Sequence, residues 1–188
     1  MKKTLLMSVA GVIFLSACQK QAENNPSPVA LSSKVMPPAI QTTAQTDTVP
    51  DGAMMTLRLQ QDSSSIDETS FGFNHSASRD FSSSEDAPYF AGFGKGSLCS
   101  LTLDGVKCGA QILRSSPGAI RIKVTAKNDG VYLLKTGFTK NIPANMGIWL
   151  KDAYRKDSLN LRLWNYRFDI VKSDTNTYSA GRFSVVMH

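Results

Sequence analysis

Histidine, cysteine and tryptophan are scarce in this chain: two, three and two residues in 188. Such numbers exclude a zinc-finger array or an iron–sulfur protein, and they leave little material for histidine-based catalysis. No Cys-x-x-Cys pair occurs, so a redox function of the thioredoxin type has no motif. Long apolar runs are missing beyond the first seventeen residues, which excludes a multi-span membrane protein. Internal repeats are absent as well. Apolar residues still make up 41% of the chain and aromatics 9%, enough for the core of one ordinary domain.

The N-terminus is patterned for export. Residues 1–18 read MKKTLLMSVAGVIFLSAC. Lys2 and Lys3 form a positive start, Leu5 to Leu15 a short apolar stretch, and Leu15-Ser16-Ala17-Cys18 places small residues before a cysteine. A run of this length and flanking is an export signal rather than a spanning helix. Leu15 to Cys18 resembles the lipobox of bacterial lipoproteins. The resemblance implies cleavage after residue 17 and acylation of Cys18, with palmitate among the chains. Each buried methylene adds about 0.8 kcal/mol, so several chains hold a protein firmly to a bilayer. Gln19 follows, where an Asp is the usual inner-membrane retention signal of enterobacterial lipoproteins. By that resemblance the expected location is the bacterial outer membrane.

Residues 18–53 are rich in Gln, Asn, Ser, Thr, Ala and Pro, with Pro26, Pro28, Pro37, Pro38 and Pro50 breaking any regular element. A stretch so poor in large apolar residues cannot offset its ordering entropy, and a disordered tether is expected. As a coil it would span roughly 30–35 Å.

Residues 54–188 read as one domain of period two. Ile120, Ile122 and Val124 alternate with Arg121, Lys123 and Thr125, as in a half-buried strand. Asn128-Asp129-Gly130 is a turn signal, with Val131 to Thr136 expected as the returning strand. Met54 to Gln60 and Arg182 to Met187 alternate in the same way. Leu159 to Val171 switches phase near Leu163, which predicts a β-bulge or a strand that crosses between sheets. Ile148 to Lys156 is the best helix candidate. Long loops are expected over 61–97, with weak strands around Ser70–Phe73 and Pro88–Phe93. Seven or eight short strands predict an all-β, antiparallel β-sandwich, with an immunoglobulin-like version as one form and a small β-barrel as the alternative.

With Cys18 acylated, Cys99 and Cys108 remain, and an exported pair is expected to form a disulfide. A four-residue loop Thr102–Gly105 would pair Leu101 with Val106 and set Cys99 opposite Cys108. A bond closing so short a loop would contribute about 2–3 kcal/mol.

Several constellations hint at chemistry without completing it. Gly92-Phe93-Gly94-Lys95-Gly96-Ser97 is glycine-rich but lacks the spacing of a phosphate loop. His75 lies among serines and Asp80, without a nucleophile elbow. His188, the last residue, is expected to fray. Asp62, Asp67, Glu68, Glu85 and Asp86 match no calcium loop. No metal or other cofactor is expected, and no enzymatic activity. Trp164, Tyr166 and Phe168 are expected in the core ahead of any sugar-stacking role.

Charge is more informative. From residue 101 to the end there are fourteen Lys and Arg against six Asp and Glu; over 54–100 there are three against six. Arg121, Lys123, Arg162 and Arg167 are the candidates for a face that meets an anionic partner, such as lipid A phosphates, peptidoglycan carboxylates or an acidic protein. Surface charge kept only for solubility would give the same composition. Nucleic acid is not an expected partner of an exported lipoprotein.

Tyr178 to Met187 is similar to the closing strand of chaperone–usher pilins, with Gly181, Phe183 and Ser184 before an alternating C-terminal run. That resemblance implies a fimbrial subunit or anchor, although pilins usually lack a lipobox. The expected function is therefore a non-enzymatic, lipid-anchored envelope module that binds a protein or glycan partner or supports an envelope assembly. A fimbrial or adhesin-type subunit and an inhibitor of a lysozyme-type hydrolase are the alternatives.

Overall fold

The computed structural model describes residues 48–188, apart from Ser64 and Phe93. The export signal over 1–17, the lipidation of Cys18 and most of the 18–53 tether lie outside the described residues. The described chain is all-β. Eleven strands form one sheet, and the only helical element is a single 3-10 turn, Thr175–Thr177. The strands are β1 Met54–Gln60, β2 Ile66–Phe73, β3 Ala87–Pro88, β4 Gly96–Leu101, β5 Lys107–Leu113, β6 Ile120–Ala126, β7 Gly130–Lys140, β8 Ile148–Asp152, β9 Asp157–Asn160, β10 Tyr166–Ile170 and β11 Phe183–Met187. Their order is β10-β7-β1-β2-β5-β4-β6-β11-β8-β9, with β3 beside β5. Every pairing is antiparallel except β2 with β5.

Where alternation is clean, the strand follows the sequence. In β1, Met55, Leu57 and Leu59 are buried; in β6, Ile120, Ile122 and Val124; in β11, Phe183, Val185 and Met187. A side-chain period of two turns these residues to one face, and together with Phe71, Leu98, Leu134, Leu150 and Phe168 they make a single core. The core starts before β1. Val49 and Ala53 are fully buried, and Val49 N–H donates to Ser115 O at 2.7 Å, so packing reaches into the segment expected as tether.

Several expectations are corrected. The helix over Ile148 to Lys156 is strand β8 followed by a turn. Ile148, Leu150 and Asp152 are buried in alternation, and β8 is paired on one side to β11 and on the other to β9. Hydrogen bonds to two neighbours overrode a weak helical pattern. Ala153 to Lys156 make the turn, with Lys156 left-handed at φ 55°.

The run Leu159 to Val171 holds no bulge. It is β9, a turn over residues 161–165 and β10, and Leu163 and Trp164 are exposed at 69% and 66%. A bulge lies instead in β7. Gly137 and Phe138 together oppose Thr56 of β1, and Phe138 N–H donates to Thr56 Oγ1 at 2.8 Å. A Cβ on Gly137 would collide with that hydroxyl and lie 2.8 Å from Arg58 Nε, which is why glycine stands there.

The Asn128-Asp129-Gly130 turn does not close a hairpin. β7 pairs with β1 and β10, while β6 pairs with β4 and β11.

The β4–β5 hairpin takes a different register. Thr102 N–H donates to Val106 O at 3.1 Å, Gly105 is left-handed at φ 90°, and Ser100 faces Cys108. Cys99 is thereby one residue out of step with Cys108. One step in a strand turns a side chain to the opposite face, and both cysteines are free thiols. Burial raises the Cys99 thiol above its usual value and pushes Cys108 up to about 11. The thiolate is the reactive form. Ellman's reagent added to the native full-length protein at pH 8 is therefore expected to leave both cysteines unmodified, and to titrate two thiols after guanidinium unfolding. Fewer than two thiols in the unfolded protein would mean that the disulfide forms after all.

The two ends of the strand order come together. The turn over 161–165 joins β9, at one end, to β10, at the other. Leu161 N–H donates to Ile148 O at 2.7 Å and Leu161 O accepts from Thr136 Oγ1 at 3.1 Å, so one residue touches both β8 and β7. Asp152 of β8 accepts from Tyr166 Oη of β10 at 2.8 Å and pairs with Arg182, just ahead of β11. The sheet is in this way nearly closed and barrel-like. His188, expected to fray, is held by backbone bonds to Gly147 and stacks on Trp149 with ring centroids 5.9 Å apart.

Candidate functional site

β4 and β5 stay paired at only two positions, Ser100 with Cys108 and Leu101 with Lys107. Beyond these, β5 turns to β2, and the Leu98 N–H is satisfied by Asp67 Oδ2 at 2.6 Å. The chain leaving β5 runs through Arg114-Ser115-Ser116-Pro117-Gly118 to reach β6. Proline fixes its own φ, and Gly118 takes the left-handed conformation (φ 67°) that a side chain disfavours.

A cleft of about 310 Å³ lies here. Its walls are the end of β4 with the hairpin tip, the second half of β5, the start of β6, the connection between these two strands, and the loop carrying Ser78 and Arg79. Leu101, Leu103, Leu113, Pro117 and Ile120 give it apolar surface; Arg79, Arg114 and Arg121 give it charge. No carboxylate lines it, and none of the three arginines is ion-paired among the described residues. Arg114 donates through Nε to Ala77 O at 3.0 Å, which anchors the 74–79 loop to the end of β5. Arg121 donates through Nη2 to Thr102 O and to Leu103 O, the latter at 3.0 Å, and so fixes the hairpin tip. Each guanidinium has five N–H donors in a planar fork, so these bonds leave others for a ligand.

Only Arg121 of the four sequence candidates lines this cleft. Lys123 follows it on the same face of β6, half-buried. Arg162 lies in the 161–165 turn and donates through Nη2 to Ile142 O at 3.2 Å and Pro143 O at 2.8 Å. Arg167 is exposed on β10, at the far end of the strand order from β6. The basic half of the chain is thus dispersed around the sheet. Sequence reasoning counted Arg114 within the basic half without singling it out, and it missed Arg79 and Gln111. Nothing local joins Arg79 to the others; it comes from a segment that reads as loop, and only the packing of that loop on β5 brings it in.

The remaining constellations are used internally. His75 contacts Asp51 Oδ2 through Nδ1, and its backbone N–H donates to Asp51 Oδ1 at 2.7 Å. Ser115 Oγ donates to that same Oδ1 at 2.6 Å. The hydrogen bonds from Ser115 and His75 lower the Asp51 carboxyl below its usual range. A hydrolytic triad needs the imidazole between serine and carboxylate; here the carboxylate lies between the other two, so Ser115 is not activated. Lys95 of the glycine-rich stretch pairs with Asp62 at 2.6 Å, and the chain continues into a strand rather than a helix. Glu68 pairs with Arg58, Asp67 accepts from Tyr89 Oη, and Asp86 accepts from the Ile112 N–H.

No family model matches the chain, and no curated protein or solved structure matches it.

Proposed function

We propose that the chain is a lipid-anchored protein of the bacterial outer membrane whose β domain is a non-enzymatic binding module. Its site is the Arg79–Arg114–Arg121 cleft, and its partner is a protein or glycan of the envelope that presents an anionic group there. The observation that carries this reading is the lining among the described residues: three arginines without ion pairs, no carboxylate, and apolar walls. Pockets of a few hundred Å³ that are mostly apolar with a few convergent polar groups are the usual form of a ligand site. Positive charge without an acidic counterpart favours an anion and steers it inward. The finer fold reading is a small barrel in preference to a two-sheet sandwich, supported by the contacts between the two ends of the strand order. The fimbrial reading has less support, because β11 is paired on both sides within its own chain.

The test is site-specific photo-crosslinking in the intact envelope. A photoreactive residue at Ser116, in the cleft, is expected to yield a discrete adduct that disappears when Arg79→Glu and Arg114→Glu are added. The same probe at Ser158, on β9, is expected to yield none. Identical adducts from both sites, or adducts indifferent to the arginine changes, would remove the cleft from the function. In the same cells, Cys18→Ser is expected to abolish palmitate labelling and release the protein from the membrane fraction.

A further inference from the structure

Gln111 is the unusual residue of the cleft. It belongs to β5, is only 4% exposed, and its Oε1 has no hydrogen-bond partner among the described residues. A buried polar group left unsatisfied costs free energy, and such groups in folded proteins generally have partners. Gln111 also lines the cleft beside the three arginines. The terminal torsion of a glutamine is broad, so a small rotation presents its amide to whatever enters. A carboxamide offers one acceptor and one pair of donors.

We infer that the cleft recognises the carboxyl end of a peptide whose last residue is apolar. This rests on the anionic-partner reading above and narrows it to one chemistry. Three demands converge within the cleft: an anion for the guanidinium forks, a hydrogen-bond donor for Gln111 Oε1, and an apolar group for Leu101, Leu113 and Ile120. A terminal apolar residue meets all three within a few ångströms, through its carboxylate, its amide N–H and its side chain. A planar carboxylate also suits bidentate arginine contacts. A lipid phosphate supplies the anion and apolar chains but no adjacent amide donor. A uronic acid supplies the anion and hydroxyl donors but little apolar surface. His188 is not the occupant, because it is bonded to Gly147 and stacked on Trp149.

The experiment is isothermal titration of the full-length protein in detergent with four probes. These are N-acetyl-Ala-Ala-Leu as the free acid, its C-terminal carboxamide, the depsipeptide with an ester in place of the last amide, and hexanoate. The free acid is expected to bind, with affinity at least about tenfold above the carboxamide and about tenfold above the depsipeptide, as lost charge-assisted and buried hydrogen bonds dictate. Arg114→Met is expected to weaken the free acid about as much as removing the carboxylate does. Gln111→Met, close in volume, is expected to erase the difference between amide and ester. The depsipeptide keeps the test decisive if that variant is unstable. Hexanoate binding as tightly as the peptide, and dependent on Arg114, would overturn the peptide inference and leave the anionic cleft standing. Peptide binding indifferent to Arg114 and to the carboxylate, or no binding by any acid, would overturn both.

Discussion

Arg182→Met is expected to destabilise the domain by about 3–5 kcal/mol at pH 7, the cost of stranding a buried partner charge. Arg182 and Asp152 are 2% and 1% exposed. Arg182 Nε contacts both Asp152 oxygens at 3.1 Å and Nη2 contacts Oδ2 at 2.8 Å. Its Nη1 donates to Thr177 O, and its guanidinium lies 4.6 Å from the Phe183 ring centroid and 5.0 Å from that of Phe168. Removing the arginine leaves a carboxylate in the core with only Tyr166 and backbone N–H groups as partners. The pH dependence identifies the cause. Burial by itself raises the Asp152 carboxyl, but the bonds from Arg182 and Tyr166 and the adjacent cation outweigh it, and the native pKa lies below the ordinary value. A depressed native pKa contributes stability that is present above the unfolded value, about 3.9, and is lost as pH falls through the native one. Without Arg182, burial is opposed only by Tyr166 and the backbone N–H groups, and the native pKa is expected to rise. The variant's deficit is then expected to shrink as pH falls toward 4, the reverse of the wild-type trend. Urea unfolding at pH 7 and pH 4 measures both. A loss under about 1 kcal/mol, or one independent of pH, would mean that the pair does not hold the sheet ends together. The double variant Asp152→Leu with Arg182→Met should recover much of the loss, because it leaves no uncompensated charge.

Phe168→Ala is expected to cost a comparable amount, about 3–5 kcal/mol, through lost transfer energy and the cavity left behind. The ring is fully buried on β10. It meets Phe183 edge-on at 4.9 Å between centroids, and lies 6.1 Å from Tyr132 and 6.2 Å from Tyr166. These residues come from β7, β10 and β11, so the cavity would open where the ends of the strand order meet. Its cost should not add simply to that of Arg182→Met, since the guanidinium rests on this ring and contacting residues couple. Trp164→Ser is the matched control. Trp164 is exposed, and its replacement should change stability by no more than about 0.5 kcal/mol. Thermal unfolding of the three variants decides this. Equal losses at Phe168 and Trp164 would contradict the burial assigned to the 161–165 turn.

That contrast shows where the sequence could be read and where it could not. Trp164, Tyr166 and Phe168 share one parity, which a single strand would have turned to one face. Tyr166 and Phe168 do face inward, but the turn ends one residue after Trp164, and no glycine or proline announces it. The same limit applies to β8. Its alternation of Ile148, Leu150 and Asp152 was readable in principle, yet Asp152 looks like a solvent residue until Arg182, thirty positions later, is placed beside it. The Cys99–Cys108 register turned on one residue of loop length, which local composition does not set. The cleft was legible only at Arg121.

The sequence by itself determined the all-β class, the inward faces of β1, β6 and β11, and the uneven distribution of charge. These follow from side-chain alternation and composition, which are local properties of the chain. Tertiary structure alone decided which strands are neighbours, that β6 and β7 do not pair across their turn, that Arg182 neutralises Asp152, and that Arg79, Gln111, Arg114 and Arg121 share one cleft. The reason is physical: hydrogen-bond partners in a sheet and charges in a core are chosen by distance in space, and a period of two specifies a face but not a neighbour.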